Sequence, residues 1–330
     1  MKPLDDFPRA GIARLPSALE PLPRLSAHLG GPALWIKRDD QIGLAIGGNK
    51  TRKLDFLMGE ALAQGAKRVI TFGGPQSNHA RQTAAAARRL GLEPILILVG
   101  DEPERRQGNL LLDHILGAEV HFVSPPGAPS GGISWESPDA LLDQAGLDRR
   151  DAYVIPLGGS CPTGVLGYVE AAFELRAQAQ ARGLTIDYVV TAAGTGGTAA
   201  GLLAGLRLAG ADTRVIAIDV GRLHADMATA IAKIATETAV LLGAKAAFRA
   251  DDLAVHDYTG ERYAQPTPAC QDAIRLLARH EGLLLDPVYT GKALAGLIDL
   301  IRQGRFQHLD SVVFLHTGGT PALYVDPALF

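Results

Sequence analysis

Short apolar runs rich in β-branched residues recur along the chain at 35–38, 68–72, 94–99, 119–123, 153–157, 187–191, 215–219 and 311–316, and most show no polar/apolar alternation. A strand that is apolar on both faces is one covered on both faces, as in a parallel sheet. Between these runs, the segments 51–64, 80–90, 164–182, 198–209, 227–242, 265–279 and 292–302 repeat apolar positions at helical spacing, and many of them close on glycine, which predicts helices. Strand and helix in alternation predict an α/β fold: open, twisted, mostly parallel sheets covered by helices. With this many strands the expectation is two closely associated units, the site lying between them at strand C-terminal ends. The one linker-like stretch, 124–138, is rich in Pro, Gly and Ser and reads as an exposed loop.

Composition narrows the function. The 330 residues are 47% hydrophobic and 20% charged, with a formal net charge of −3, so the chain can build a core but lacks the basic excess that nucleic acid or an anionic membrane requires. A small-molecule substrate is the expectation. Glycine, 38 residues, stands well above the roughly 7% average and clusters at the ends of apolar runs, which implies many tight loops. Two cysteines, Cys161 and Cys270, do not make a disulfide framework. The opening MKPLDDFPRAGI lacks the apolar stretch of a signal peptide, and no run approaches the ~20 residues of a membrane span. The expected location is the cytoplasm.

Three loops carry candidate chemistry. GTGGT at 194–198 joins a strand to a helix. Its glycines let backbone N–H groups converge on an anion at the positive end of the helix. Gly194, Gly196, Gly197 and the hydroxyls of Thr195 and Thr198 suit a terminal phosphate. A dinucleotide reading competes, because Gly194, Gly196 and Ala199 fit G-x-G-x-x-A and Asp219 ends the next strand, as in NAD-dependent dehydrogenases. GGNKTRK at 47–53 opens a helix with three cations, Lys50, Arg52 and Lys53, against a dipole that disfavours them. A lysine desolvated among other cations has its neutral form favoured, as a Schiff-base nucleophile needs. The phosphate loop and the perturbed lysine together describe pyridoxal phosphate. In GGPQSNHARQ at 73–82, Ser77 and Asn78 suit either a helix N-cap or a substrate carboxylate and cofactor hydroxyl. His79 has no partner at metal-ligand spacing, so no metal is expected.

The segments GGNKTRKL, QSNHARQ, LDPVYTGKALAGLID and LHTGGTPAL resemble the D-cysteine desulfhydrase and 1-aminocyclopropane-1-carboxylate deaminase family of pyridoxal 5'-phosphate enzymes, from about Phe7 to Leu323. The resemblance implies fold type II, the tryptophan-synthase-β-like fold, with 1–49 and 163–330 as the large domain, 50–162 as the small one, and a homodimer. It implies Lys50 as the Schiff-base lysine, Asn78 at the cofactor's phenolic oxygen, Ser77, Asn78 and His79 facing the substrate, and 194–198 as the phosphate loop. Tyr289 matches the tyrosine over the substrate, and Tyr263, in the divergent context ERYAQPT, falls near a second one.

Cyclopropane-opening members are similar in having a glutamate after the DPVY tyrosine and an apolar residue in the final H-x-G-G loop. Here Thr290 and Thr317 stand there, placed by the resemblance at the cofactor ring. Hydroxyls stabilise a pyridinium less than a carboxylate does, which favours a substrate with its own leaving group. The expectation is therefore α,β-elimination from D-cysteine to pyruvate, ammonia and hydrogen sulfide, with L-cysteate lysis and cyclopropane deamination as alternatives. Cys161 reads as an ordinary buried thiol or as a border of the substrate site.

Overall fold

In a computed structural model, residues 1–124 and 138–330 are described; all but the end residues of the stretch 124–138 lie outside them. The strands are β1 (Leu19–Pro21), β2 (Ala33–Lys37), β3 (Arg68–Gly73), β4 (Glu93–Val99), β5 (Glu119–Val123), β6 (Ala152–Ile155), β7 (Tyr188–Ala193), β8 (Arg214–Asp219), β9 (Ala254–Asp257) and β10 (Ser311–Leu315). The helices are α1 (Pro23–Leu29), α2 (Lys50–Ala63), α3 (Asn78–Arg89), α4 (Gly108–Ile115), α5 (Pro138–Gln144), α6 (Pro162–Gln180), α7 (Gly197–Leu208), α8 (Met227–Leu241), α9 (Pro268–Glu281) and α10 (Thr290–Arg302).

The strands form two sheets, one of six in the order β1-β2-β10-β7-β8-β9 and one of four in the order β5-β4-β3-β6. All pairings are parallel except β1 against β2. All eight predicted strands and all seven predicted helices form, with ends displaced by up to three residues. Five elements, β1, β9, α1, α4 and α5, escaped the periodicity. Three-, four- and seven-residue segments are too short to show a repeat, and α4, at eight residues, spans barely two turns.

Both-face burial is visible residue by residue in the large sheet. Val189, Val215, Ala217, Val313 and Leu315 pack into one core with α6, α7 and α8. Their neighbours Val190, Ile216, Ile218, Val312 and Phe314 pack into the opposite core with α1, α9 and α10. In the small sheet, Val69 and Ile155 face α2 and α3, while Ile70, Phe72, Ile95 and Ile97 face Leu141 and Leu142 of α5. A polar residue on either face is tolerated only with a partner, as Thr71 of β3 finds in Ile155 O, which explains the mostly apolar runs.

Candidate active site

The loops singled out from the sequence converge on one cleft. Its walls include Asn49, Lys50, Ser77, Asn78, His79, Gly194, Thr195, Gly196, Gly197, Thr198, Tyr263, Tyr289 and Thr317. Most come from junctions that lead into the start of a helix, where side chains and free helix N–H groups point outward from the sheets.

The three cations that open α2 separate into three roles. Arg52 points into the core with a fully buried side chain, where its guanidinium meets both oxygens of Asp39, at 2.8 and 3.0 Å, and both of Glu174, each at 3.0 Å. Tyr168 adds a hydrogen bond to Asp39 at 2.7 Å, and these carboxylates raise the Arg52 pKa above its ordinary value despite burial. Buried charges persist only when paired and hydrogen-bonded in this way. Lys53 is buried too, donating at 3.1 Å to Gly158 O and to Ser160 Oγ; burial and the Lys50 charge push its pKa well below the usual lysine range. Lys50 reaches the cleft, and its amine makes no hydrogen bond or ion pair among the described residues; desolvation lowers its pKa to about 8. Arg52 therefore anchors the helix, and the site is left with an amine whose neutral form is accessible near neutrality.

The loop 194–198 wraps the start of α7. Gly196 adopts left-handed φ 79° at the N-cap, a conformation L side chains rarely accept, and no side chain caps the helix. The first amides of α7 are thus open to an anion. A Cβ on Gly197 would come within 2.7 Å of Lys53 Nζ and 2.4 Å of Ser160 Oγ, so the loop backbone lies against the buried Lys53 amine. Asn49 ties this loop to its neighbours: its Nδ2 donates to Thr198 Oγ1 at 3.0 Å, and its backbone N–H donates to Thr317 O at 3.0 Å.

Ser77 is the N-cap of α3, accepting from Ala80 N at 3.1 Å, and it also lines the cleft. Asn78 Oδ1 accepts from Asn109 Nδ2 at 2.9 Å, which turns its own amide N–H₂ into the free donor. Arg81 fixes the arrangement by donating to Asn109 Oδ1 at 2.7 Å, to Gly47 O at 3.1 Å and to Ala45 O, linking α3 to the loop before Lys50. His79 is neutral: burial and the Lys50 and Lys53 charges lower its pKa well below the usual range. Thr71 gives its proton to Ile155 O, so its oxygen accepts from His79 Nε2–H at 2.9 Å. Among the described residues no His, Cys, Asp and Glu cluster could hold a metal ion.

Tyr263 and Tyr289 meet over the cleft with their hydroxyls hydrogen-bonded and their rings edge to face, centroids 6.0 Å apart. Burial raises the pKa of both, Tyr289 well above the phenol range, so the pair stays protonated. The divergent context of Tyr263 does not keep it from the cleft.

Thr290 is the residue that the structure does not bring to the cleft. It opens α10 with its hydroxyl donating to Asp286 Oδ2 at 2.7 Å and accepting from Asp286 N at 2.8 Å, a local side-chain pairing at a helix start. Thr317 does line the cleft. Cys161 does not; it packs beside the α2–β3 core. Asp219, the carboxylate a dinucleotide would need, instead accepts from Gly221 N at 3.0 Å and Arg222 N at 2.9 Å. Sequence reasoning missed Asn109, Asp286 and Arg81. All are buried polar groups whose partners are distant in sequence or in tight turns; Asp286 and Arg81 stood inside recognised motifs, Asn109 in none.

The comparisons with known proteins agree with this geometry. A profile of the family "Pyridoxal-phosphate dependent enzyme" matches residues 12–318. The chain belongs to that family. It is 42% identical over 326 residues to a D-cysteine desulfhydrase of Klebsiella pneumoniae, covering 97% of each chain. It is 41% identical over 336 residues to a 1-aminocyclopropane-1-carboxylate deaminase of Burkholderia cenocepacia, covering 99% of this chain and 98% of the other. A crystal structure of an ACC deaminase homologue superposes with a TM-score of 0.85 at 39% identity, covering 97% and 94% of the two chains. The fold is type II, the enzyme depends on pyridoxal phosphate, and the dinucleotide alternative falls. The cleft fits that cofactor: a cradle at Gly196–Gly197 for a phosphate, a desolvated amine for an aldehyde and a free amide donor for a ring oxygen.

Proposed function

We propose that the protein is a lyase that eliminates a β-substituent from an amino acid, with D-cysteine as the substrate and hydrogen sulfide, pyruvate and ammonia as the products. The observation that carries this reading is the absence of any carboxylate among the described residues lining the cleft, combined with a protonated tyrosine pair over it. When bound, pyridoxal phosphate supplies an aldehyde for an amine and a conjugated ring that accepts charge developing at Cα. Thr317, which lines the cleft, would offer that ring a hydroxyl, a weaker partner for a pyridinium than a carboxylate, so a substrate carrying its own leaving group is favoured over one that must open a carbon ring. Similarity to the Klebsiella desulfhydrase supports the choice of D-cysteine.

Each wall then has a task. The amides of 194–198 and the hydroxyls of Thr195 and Thr198 would hold the phosphate, and Asn78 Nδ2 the ring oxygen. Ser77 and the free first amides of α3, those of Asn78 and His79, would hold the substrate carboxylate. Lys50 Nζ takes the Cα proton; with a pKa lowered to about 8 it is poised to act as a base close to neutral pH. Tyr289, backed by Tyr263, donates to the departing sulfur, and the released enamine hydrolyses to pyruvate and ammonia.

The same reading places 1–49 with 163–330 and 50–162 as two domains, and the protein as a cytoplasmic homodimer, which sedimentation of the purified enzyme tests. Among the described residues no helix is long and apolar enough to cross a membrane. A panel of D-cysteine, L-cysteine, L-cysteate and β-chloro-D-alanine, scored for pyruvate, against 1-aminocyclopropane-1-carboxylate, scored for 2-oxobutyrate, tests the activity. D-Cysteine should give the highest kcat/KM of the natural candidates. A preference for the cyclopropane substrate would overturn the elimination reading while leaving the cofactor in place.

A further inference from the structure

The two phenols over the cleft lie 26 residues apart in sequence, and they are held unequally. Tyr289 immediately precedes α10, where Asp286 accepts from its backbone N–H at 2.7 Å and from those of Val288 and Thr290 at 2.8 and 2.9 Å. Tyr263 sits in the irregular segment between β9 and α9, next to Ala264 with a left-handed φ of 63°. Such a segment has no ladder or helix to fix its register.

Lys292 supplies the constraint. Its side chain is 0% exposed. It leaves α10 one turn after Tyr289 and donates from Nζ to Thr259 O at 2.6 Å and toward Arg262 O at 3.4 Å. Those carbonyls bracket the turn that delivers Tyr263. No carboxylate forms a salt bridge with it among the described residues; burial and Arg222 oppose its charge, while Asp286 and Asp257 favour it from farther away. Arg222 grips the same segment from outside, donating to Gly260 O at 3.2 Å and Asp257 Oδ2 at 2.6 Å with a side chain that is 56% exposed. A buried ammonium that satisfies only backbone carbonyls is a costly way to fill a core position. Methionine would fill a similar volume, so packing alone gives no reason for a charged group there.

We propose that Lys292 is a positioning residue: by joining the helix that carries Tyr289 to the turn that carries Tyr263, it keeps the two hydroxyls aligned as a proton-donor pair. This rests on the reading of that pair as the donor to departing sulfur. The consequence is confined to leaving groups that need a proton. Chloride departs as a stable anion, whereas a thiolate benefits from donation.

The test is a double-mutant cycle in the holoenzyme. Lys292→Met should retain bound cofactor by its visible absorbance, lower kcat on D-cysteine about 10–100-fold with little change in KM, and lower kcat on β-chloro-D-alanine by less than about 3-fold. Tyr263→Phe should show the same split, and the double variant should be no worse than either single one. Losses that are equal on both substrates, or that multiply in the double variant, would overturn the proposal. If Lys292→Met does not retain cofactor, Lys292→Gln, which keeps an N–H donor, is read instead: a loss on D-cysteine smaller than that of Tyr263→Phe and absent on β-chloro-D-alanine supports the proposal, and equal losses on both substrates overturn it. Should Tyr263→Phe and Tyr289→Phe each lower both substrates equally, the donor reading fails, and non-additivity between positions 292 and 263 still decides whether Lys292 positions Tyr263.

Discussion

Lys50 does its work because its neighbours take the charge elsewhere. Arg52 is neutralised by Asp39 and Glu174, and Lys53 faces the 194–198 loop, so the remaining amine meets the cleft desolvated. Lys50→Ala should abolish the cofactor's protein-bound visible band and reduce turnover by orders of magnitude, while far-UV circular dichroism stays as in the parent. The amine attacks as the free base, so the rate at which apoprotein takes up pyridoxal phosphate should rise with pH through an inflection near the lowered value of about 8 and level off above it. A profile flat between pH 6 and 9 would remove Lys50 as the titrating group. For Tyr289, replacement by Phe should cost about 10²-fold or more on D-cysteine and far less on β-chloro-D-alanine, measured as pyruvate release. Equal costs would assign the hydroxyl to positioning.

At the scale of elements, α4 packs on α3 and brings a buried carboxyl with it. Both Asp113 oxygens lack hydrogen-bond partners among the described residues, and burial pushes the pKa up to about 8 despite Arg81 nearby. The native state then holds a proton that the unfolded chain has lost above about pH 4, so stability declines as pH rises from there to about 8 and is flat beyond. Asp113→Asn should abolish that slope and raise the melting temperature at pH 8, with the gain shrinking toward pH 5. The α2–α6 contact is equally specific. A Cβ on Gly167 would lie 2.2 Å from Arg52 O, a backbone atom that cannot rotate away, so Gly167→Ala should force the two helices apart at a cost of about 1–3 kcal/mol in chemical denaturation. Because α2 opens on Lys50, cofactor affinity should fall with it. Thr290, by contrast, belongs to the start of α10. Thr290→Glu would set a second carboxylate beside Asp286 and should lower stability without creating cyclopropane deamination.

Across the whole molecule, the cleft draws its walls from both sheets, with Ser77 and Asn78 following β3 and Gly194–Thr198 following β7. A ligand touching both should stabilise the assembly as a unit, by about 2.7 kcal/mol when present at 100 times its dissociation constant. The holoenzyme should therefore melt well above the apoprotein. Replacing Thr195 and Thr198 together with Val should narrow that gap at fixed cofactor concentration while leaving the apoprotein's melting temperature within a few degrees. An unchanged gap would mean that the hydroxyls do not carry phosphate affinity.

What the sequence determined by itself is what short-range physics writes into it. Apolar runs such as VVFL at 312–315 specify doubly covered strands. Glycine clusters mark where the backbone must turn or approach a ligand, and the motifs around Lys50, Ser77 and Tyr289 name the chemistry. Tertiary structure alone decided which of three adjacent cations is free, because the answer lies with Asp39 and Glu174, far from Lys50 in sequence or on the opposite side of α2. It also withdrew Thr290 from the cleft, since a hydroxyl at a helix start finds its partner locally, and brought Tyr263 in despite an unfamiliar context. Lys292 looks like any surface lysine as a letter in the chain. Its burial against the carbonyls of residues 259 and 262 follows only from the packing of α10 beside β7 and β8, a long-range arrangement that no local pattern encodes.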